Sequence, residues 1–285
     1  MNSSLPKVLH PIANKPMLGH VLETTIQAIQ SVQPCVVVGH GGQEVEQYLN
    51  KAFPQVKIAT QHEQKGTGHA VMQAMPAVAN SGPTTILYGD VPLIQAKSLN
   101  KIAELALGGA LVILTQLLDE PTGYGRIIRN LDGDVVGIVE EKDATIEQRK
   151  IQEINTGILC CDTQDLKRWL EKLTPNNAQG EFYLTDIIAF AAHEGVPIRT
   201  IQPEYSWEVQ GVNSRLQLAA LEREYQAHLA NQLLINGVTL ADPARIDIRG
   251  TLTCKTDVSI DVGCIFEGDV QIASKVEIGP YCVIK

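Results

Sequence analysis

The chain's 285 residues suffice for one large domain and a smaller unit, and a composition 44% hydrophobic and 19% charged excludes global disorder. Lys+Arg 23 against Asp+Glu 32 gives a formal net charge of −9, which argues against nucleic acid or a membrane surface as a partner and leaves room for a local basic pocket that takes a phosphorylated small molecule. With no long apolar run and no apolar signal core at the N-terminus, a soluble, cytoplasmic protein is the expectation.

Leu5-Pro6-Lys7-Val8-Leu9 reads as a loop feeding a helix. From Pro16, "PMLGHVLETTIQAIQ" sets Leu18, Val21, Leu22, Ile26 and Ile29 on one helical stripe. Strands are expected at 34–39, 56–60, 84–90 and 110–116, each followed or preceded by a helical pattern ("QEVEQYLNKAF", "TGHAVMQAMPAV", "KSLNKIAELAL"). Strand–helix alternation with continuous apolar strands predicts a parallel sheet covered on both faces. After Thr122 the rhythm changes. "YGRIIRN" and "DVVGIVEE" flank "LDGD", a hairpin signal, and "INTGILCCD" adds a strand. Helices at about 163–173 and 184–194 and the strand "PIRTIQ" follow. Ser214 to Ile235 reads as one long helix with Ser214 and Gln217 as a capping box and Gly237 past its end. Its narrow apolar stripe (Leu218, Leu221, Tyr225, Leu229, Leu233) suits a connector more than a core helix.

The last segment repeats. Ile246, Leu252, Val258, Cys264, Val270, Val276 and Cys282 recur every six residues, with a second series two residues later at Ile248, Cys254, Ile260, Phe266, Ile272, Ile278 and Ile284. Two apolar positions in a six-residue period indicate a hexapeptide β-helix, against the alternative of ordinary alternating strands. Of the six cysteines none forms a C-x-x-C pair, so buried reduced thiols are expected, and seven scattered histidines without H-x-x-x-H spacing argue against zinc.

Several residues can carry chemistry. Asp90, in "LYGDVPL" at the carboxyl end of an expected strand, can hold a hard cation on phosphates or merely cap a turn. Lys7 can set a charge on a phosphate or be an ordinary surface lysine. "QKGTGHA" (64–70) enters a helix whose free N–H groups can meet a base or phosphate, or is a plain turn. "GHGGQE" (39–44) lacks the third glycine of a dinucleotide fingerprint and is read as structural. Gly125, Glu140 and Asn155 bring small or polar groups beside strands, a chemistry that suits sugar hydroxyls and an acetamido group as well as a solvated loop. Asn213 precedes the long helix, where Ser214 fits the cap better.

"LPKVLHPIANKPML", "EQKGTGHAV", "LYGDVPL", "DPTGYGRI", "GIVEEKDAT", "QEINTGI", "NNAQGEFYLTDII" and "GVNSRLQLA" together resemble, in type, order and spacing, the bacterial bifunctional UDP-N-acetylglucosamine pyrophosphorylase/glucosamine-1-phosphate N-acetyltransferase family, over all 285 residues. The resemblance implies an α/β fold: a Rossmann-like nucleotidyltransferase domain at 1–213, a linker helix at 214–236 and the first coils of a left-handed hexapeptide β-helix at 237–285. It implies uridylyl transfer from UTP to N-acetylglucosamine-1-phosphate, giving UDP-N-acetylglucosamine for cell-envelope precursors, and a homotrimer in the full-length form. By resemblance, Asp90 and Asn213 hold Mg²⁺ and Lys7 contacts phosphate. Gln61, Gly66 and Thr67 read uracil, and Gly125, Glu140 and Asn155 bind the N-acetylglucosaminyl part, with Tyr88 and Gly89 lining the site.

Two departures qualify that expectation. The family begins with a central strand and a G-x-G-T-R-M loop, and Met1 falls where that motif's last Met stands. The chain as written is therefore expected to be weakly active or inactive and prone to aggregate. The family's acetyltransferase residues lie in later coils, so no acetyl transfer is expected. The competing readings are a nucleotidyltransferase for another sugar phosphate, such as glucose-1-phosphate, and a UDP-sugar-binding remnant or scaffold without turnover.

Overall fold

The structure is a computed structural model of the chain and describes residues 1–29, 33–39 and 42–285. Two compact units are present, one of residues 21–209 and one of residues 1–20 together with 210–285. The expected helix from Pro16 reaches Gln30, and "GHGGQE" includes His40 and Gly41; these three residues lie outside the described residues.

The chain opens on a 3₁₀ turn, Lys7–Leu9, and a short antiparallel ribbon of β1 (Pro11–Ile12) and β2 (Lys15–Pro16). Ala13 and Asn14 turn the ribbon at φ 48° and 66°, the left-handed pair of a tight hairpin. α1 (Met17–Ala28) follows at once.

In the unit of residues 21–209, β3 (Cys35–Gly39), α2 (Gln43–Ala52) and β4 (Lys57–Gln61) form a parallel β-α-β unit. α3 (Thr67–Ala74) leads to β5 (Pro83–Ile86), α4 (Ala96–Leu107) and β6 (Leu111–Leu117). β7 (Arg126–Arg129) and β8 (Val135–Val139) are the expected hairpin; Asn130 Oδ1 accepts from the N–H of Asp132 and of Asp134 inside its turn. β9 (Glu153–Asp162), α5 (Thr163–Leu170), α6 (Asp186–His193) and β10 (Ile198–Ile201) complete the unit. The six-stranded sheet runs β10-β6-β9-β7-β8, with β5 also on β9.

The expected single parallel sheet is corrected in two respects. Among the described residues β3 pairs with β4 alone, as a separate ladder. In the larger sheet only β10–β6 is parallel, while β5, β6 and β7 all run antiparallel to β9. Continuous apolar runs report burial on two faces and carry no information on strand direction. Both faces are indeed covered. Leu111, Ile113, Leu159 and Cys161 meet Leu166 and Trp169 of α5 and Ile187, Ile188 and Ala191 of α6. Val112, Leu114, Ile158 and Cys160, one residue out of phase, meet Leu99, Ile102 and Ala106 of α4. The buried carboxylate of Glu208 is satisfied by Ser98 Oγ at 2.7 Å and the Tyr205 N–H at 3.1 Å.

In the other unit, α7 (Arg215–Ile235) starts as the sequence reads: Ser214 Oγ accepts from the Gln217 N–H at 3.1 Å, and Gln217 Oε1 accepts from the Asn213 N–H at 2.8 Å. Its last turns do more than connect. Ala230 and Leu233 lie within the core of the segment that follows, and Gln226 clamps Ile248 by donating to its carbonyl at 2.7 Å and accepting from its N–H at 2.8 Å. That segment consists of β11 (Thr239–Leu240), β12 (Ile246–Cys254), β13 (Ser259–Ile260), β14 (Cys264–Ile272), β15 (Glu277–Ile278) and β16 (Val283–Ile284). They stack as two parallel ladders, β11-β13-β15 and β12-β14-β16. Ile246 pairs with Cys264 and Ile265 with Val283, and Thr251 Oγ1 bonds Asp269 across the same 18-residue step. All fourteen residues of the two apolar series pack into one cluster.

Candidate nucleotide-sugar site

Gln61 closes β4 and is buried. Its Nε2 donates to the Gly66 carbonyl at 3.1 Å and lies 3.0 Å from His69 Nδ1. Gly66 has φ 100°, and a Cβ there would stand 2.7 Å from the Phe182 carbonyl, so backbone and space both require glycine. Thr67 begins α3, and its Oγ1 accepts from the Leu184 N–H at 3.1 Å. The Gly68 N–H, one of the donors expected to face a ligand, bonds the Phe182 carbonyl at 2.8 Å instead, and the Phe182 N–H bonds the Lys65 carbonyl at 2.8 Å. The turn is therefore held against residues 182–184 by its own backbone and by the Thr67 hydroxyl.

β5 ends at Ile86, four residues before Asp90, because its ladder with β9 stops at the Ile86–Leu159 pair. Asp90 thus sits in the turn beyond the strand rather than at the strand's end as expected, with Tyr88 and Gly89 before it, all three half-buried in residue exposure. The Tyr88 ring packs on Gly157, where a Cβ would come 2.5 Å from Tyr88 Cε2. Burial of the phenol, then the charge of Glu140, push Tyr88 up to about 12; a hydrogen bond with Thr67 opposes them and Asp90 adds to them.

A register shift in the β6–β9 ladder falls next to Asn155, and Thr156 Oγ1 donates to the Leu114 carbonyl at 2.6 Å inside it. Such an irregularity re-aims the residues beside it. The Asn155 N–H donates to the Gly125 carbonyl at 2.8 Å, and Asn155 Oδ1 accepts from the Gly157 N–H at 3.0 Å. A Cβ on Gly125 would lie 3.3 Å from Glu140 Oε2. Burial, then the charges of Asp186 and Asp143, raise the Glu140 carboxyl, while a hydrogen bond from Thr185 Oγ1 to Glu140 Oε1 at 2.9 Å opposes the rise.

The structure thus brings Gln61, Gly66 and Thr67 together where β4 leads into α3, and Gly125, Glu140 and Asn155 together from the ends of β7, β8 and β9, with Tyr88 against Gly157 beside Asn155. Lys7 and Asn213 meet in the other unit, where Lys7 Nζ donates to Asn213 Oδ1 at 2.7 Å.

The profile of the MobA-like NTP transferase domain matches residues 1–131. Curated relatives named bifunctional protein GlmU align with the whole chain at 55% identity in Herminiimonas arsenicoxydans, 54% in Burkholderia vietnamiensis and 55% in Dechloromonas aromatica. The chain is homologous to the bifunctional GlmU proteins over its whole length. It spans 62% of the length of those relatives. Solved structures of UDP-glucose pyrophosphorylase, with UDP-glucose and without ligand, superpose at a TM-score of 0.62 with 17% and 16% identity, covering 78% of this chain and 90% of theirs. At that identity the likeness shows the fold alone, the nucleotidyltransferase α/β fold. The resemblance carried by the motifs is upheld by the GlmU relatives. Among the described residues no helix is long and apolar enough to cross a membrane.

Sequence reasoning missed the groups that hold the site. Arg126, buried at 1% exposure, donates to Glu141 Oε2 at 2.6 Å and to the Tyr124 carbonyl, fixing the "PTGYG" turn. Tyr124 is raised by burial and then by the charge of Asp90. Tyr183 OH donates to Asp143 Oδ2 at 3.2 Å, and the Ala178 N–H donates to Asp143 Oδ1 at 2.9 Å. The available signal was the length of "NNAQGEFYLTDII", a polar-rich segment too long for a plain connection.

Proposed function

We propose that the chain is a GlmU-type uridylyltransferase module, which joins UTP to N-acetylglucosamine-1-phosphate and releases pyrophosphate. The observation that carries this reading is the meeting of Gly125, Glu140 and Asn155, where the Asn155 N–H donates to the Gly125 carbonyl at 2.8 Å and a Cβ on Gly125 would lie 3.3 Å from Glu140 Oε2, with the Tyr88 ring packed on Gly157 and Asp90 two residues along from Tyr88. In this reading the first group takes uracil. Glu140 accepts from sugar hydroxyls, and Asn155 and Gly125 meet the acetamido group. A sugar-phosphate oxygen attacks the α-phosphorus of UTP in line; a new P–O bond forms and the α–β bridging bond breaks, with its electron pair leaving on pyrophosphate. Such a reaction needs positioning and charge neutralisation more than an acid or a base.

A carboxylate from Asp90 and an amide oxygen from Asn213 are the hard oxygen donors that Mg²⁺ prefers. When bound, Mg²⁺ neutralises charge on the phosphates. Lys7, which the structure holds on Asn213 Oδ1, adds a cation to the same task. Residues 1–213 are assigned the nucleotidyltransferase part, 214–236 the linker helix and 237–285 the first coils of a left-handed hexapeptide β-helix, whose full-length form is a cytoplasmic homotrimer supplying cell-envelope synthesis.

The test is Mg²⁺-dependent pyrophosphate release by the purified chain with UTP and either N-acetylglucosamine-1-phosphate or glucose-1-phosphate. Release with the first sugar supports the reading. Release with the second alone moves the assignment to another sugar phosphate. UDP-N-acetylglucosamine binding without release leaves a binding module and overturns the enzyme reading.

A further inference from the structure

Thr185 occupies the N-cap of α6, yet its side chain makes no capping hydrogen bond. A threonine at that position ordinarily accepts from an N–H of the first turn. Its hydroxyl instead donates to Glu140 Oε1 at 2.9 Å, and the residue is 7% exposed. The other oxygen of Glu140 faces Gly125, where a Cβ would lie 3.3 Å away. The flanking titratable groups, Asp143, Asp186 and Tyr88, are acidic or neutral, so Thr185 is the donor that opposes their effect and that of burial. The backbone before Thr185 is fixed without its hydroxyl. Phe182 and Leu184 bond the 65–68 turn, and Tyr183 bonds Asp143.

We infer that Thr185 is a positioning residue for Glu140, orienting the carboxylate for the sugar and so setting affinity for the sugar part rather than for the nucleotide. The inference rests on the uridylyltransferase reading, which places sugar hydroxyls at Glu140. A hydroxyl donor fixes one carboxylate oxygen and leaves the other to accept from the ligand. Without the donor, the carboxylate rotates and holds its proton more firmly, because a hydrogen bond that favours the ionised form is gone.

The experiment compares the chain with its Thr185→Val and Thr185→Ser variants. Calorimetry with Mg²⁺ measures UTP and UDP-N-acetylglucosamine binding. Carbon-13 carboxyl NMR, assigned through Glu140→Gln, follows the titration of Glu140. Thr185→Val is expected to weaken UDP-N-acetylglucosamine about tenfold, the order set by one hydrogen bond to a charged group. It should raise the Glu140 midpoint and leave UTP affinity within about twofold, since Gln61, Gly66 and Thr67 are held by bonds among themselves and to Phe182 and Leu184 in which the Thr185 hydroxyl takes no part. Thr185→Ser should restore both. An unmoved midpoint, or equal losses for the two ligands, overturns the inference. A parent chain that binds UTP but no UDP-N-acetylglucosamine overturns the functional reading and the sugar role with it. Normal UDP-N-acetylglucosamine binding by Thr185→Val removes the role of Thr185 alone.

Discussion

Glu140 and Gly157 show what single positions cost and contribute. The folded state raises the Glu140 carboxyl from an ordinary value of 4.5, through burial first and then Asp186 and Asp143. A raised acid binds its proton more firmly folded than unfolded, so its favourable contribution is present below the ordinary value and is lost as pH rises through the raised one. Glu140→Gln is therefore expected to melt above the parent at neutral pH, with the gap closing as pH falls below 4.5, while UDP-N-acetylglucosamine binding weakens. Thermal melts across pH check the first half, and a lower melting temperature at neutral pH would refute it. At Gly157, φ is 85° and an added methyl would meet the Tyr88 ring at 2.5 Å. Gly157→Ala should lose about 1–3 kcal/mol in urea unfolding, from left-handed strain plus displacement of the ring. Freed from burial, Tyr88 should then titrate below its value of about 12 in an ultraviolet pH scan.

Among the elements, one carboxylate at the end of α6 gathers polar contacts from α5 and the residues just after it, beside the apolar packing of the two helices. Glu194 accepts from Lys172 Nζ at 2.6 Å, from Arg168 at 2.5 Å and from Trp169 Nε1 at 3.0 Å. These three bonds, in that order, hold it down to about 2. A depressed acid contributes stability above its ordinary value and loses it as pH falls through the depressed one. Glu194→Gln should thus lower the melting temperature modestly at neutral pH, with the difference vanishing as pH approaches 2. Equal differences at neutral and acid pH would show a packing effect instead. The same two helices were legible in outline, because their apolar stripes face one side of a sheet. The direction of β9 was not, since "INTGILCCD" has the same apolar content whichever way it runs, and only its ladders with β5, β6 and β7 fix it. Nor could Asp90 be placed past the strand, because β5 ends where its ladder with β9 stops, and that pairing lies 73 residues away in the sequence. The site residues themselves stood in the motifs. Thr185 and Arg126 act by contacts across more than ten residues of sequence, which no local spacing reports.

At the scale of the molecule, the six-residue apolar series and the observed ladders have different periods. The core repeats every six residues, yet strands pair across 18, as in Arg249 with Glu267 and Thr256 with Ser274. The corners repeat with the longer period too: Asp257 and Lys275 stand at φ 59° and 63°, and Gly263 and Tyr281 at 73° and 59°. Gly250 faces the Gly268 backbone so closely that no Cβ fits between them. The apolar pattern alone therefore specifies an inside, while the left-handed corners specify how many sides the wall has.

The chain can consequently be edited only in whole storeys. Excising Thr251–Gly268 joins Gly250 to Asp269, the residue that already stacks on Thr251, so every later corner keeps its face and the staircase is one flight shorter. Excising Thr251–Thr256 leaves an equally apolar interior but carries Asp257 and Lys275 off their corners onto strand positions and asks Asp269, a strand residue, to turn left-handed. A cooperative melt is expected from the first deletion and none from the second for this segment, by circular dichroism. The same arithmetic would act on any lineage that lengthens or shortens this part of the protein, admitting changes of eighteen residues and rejecting those of six.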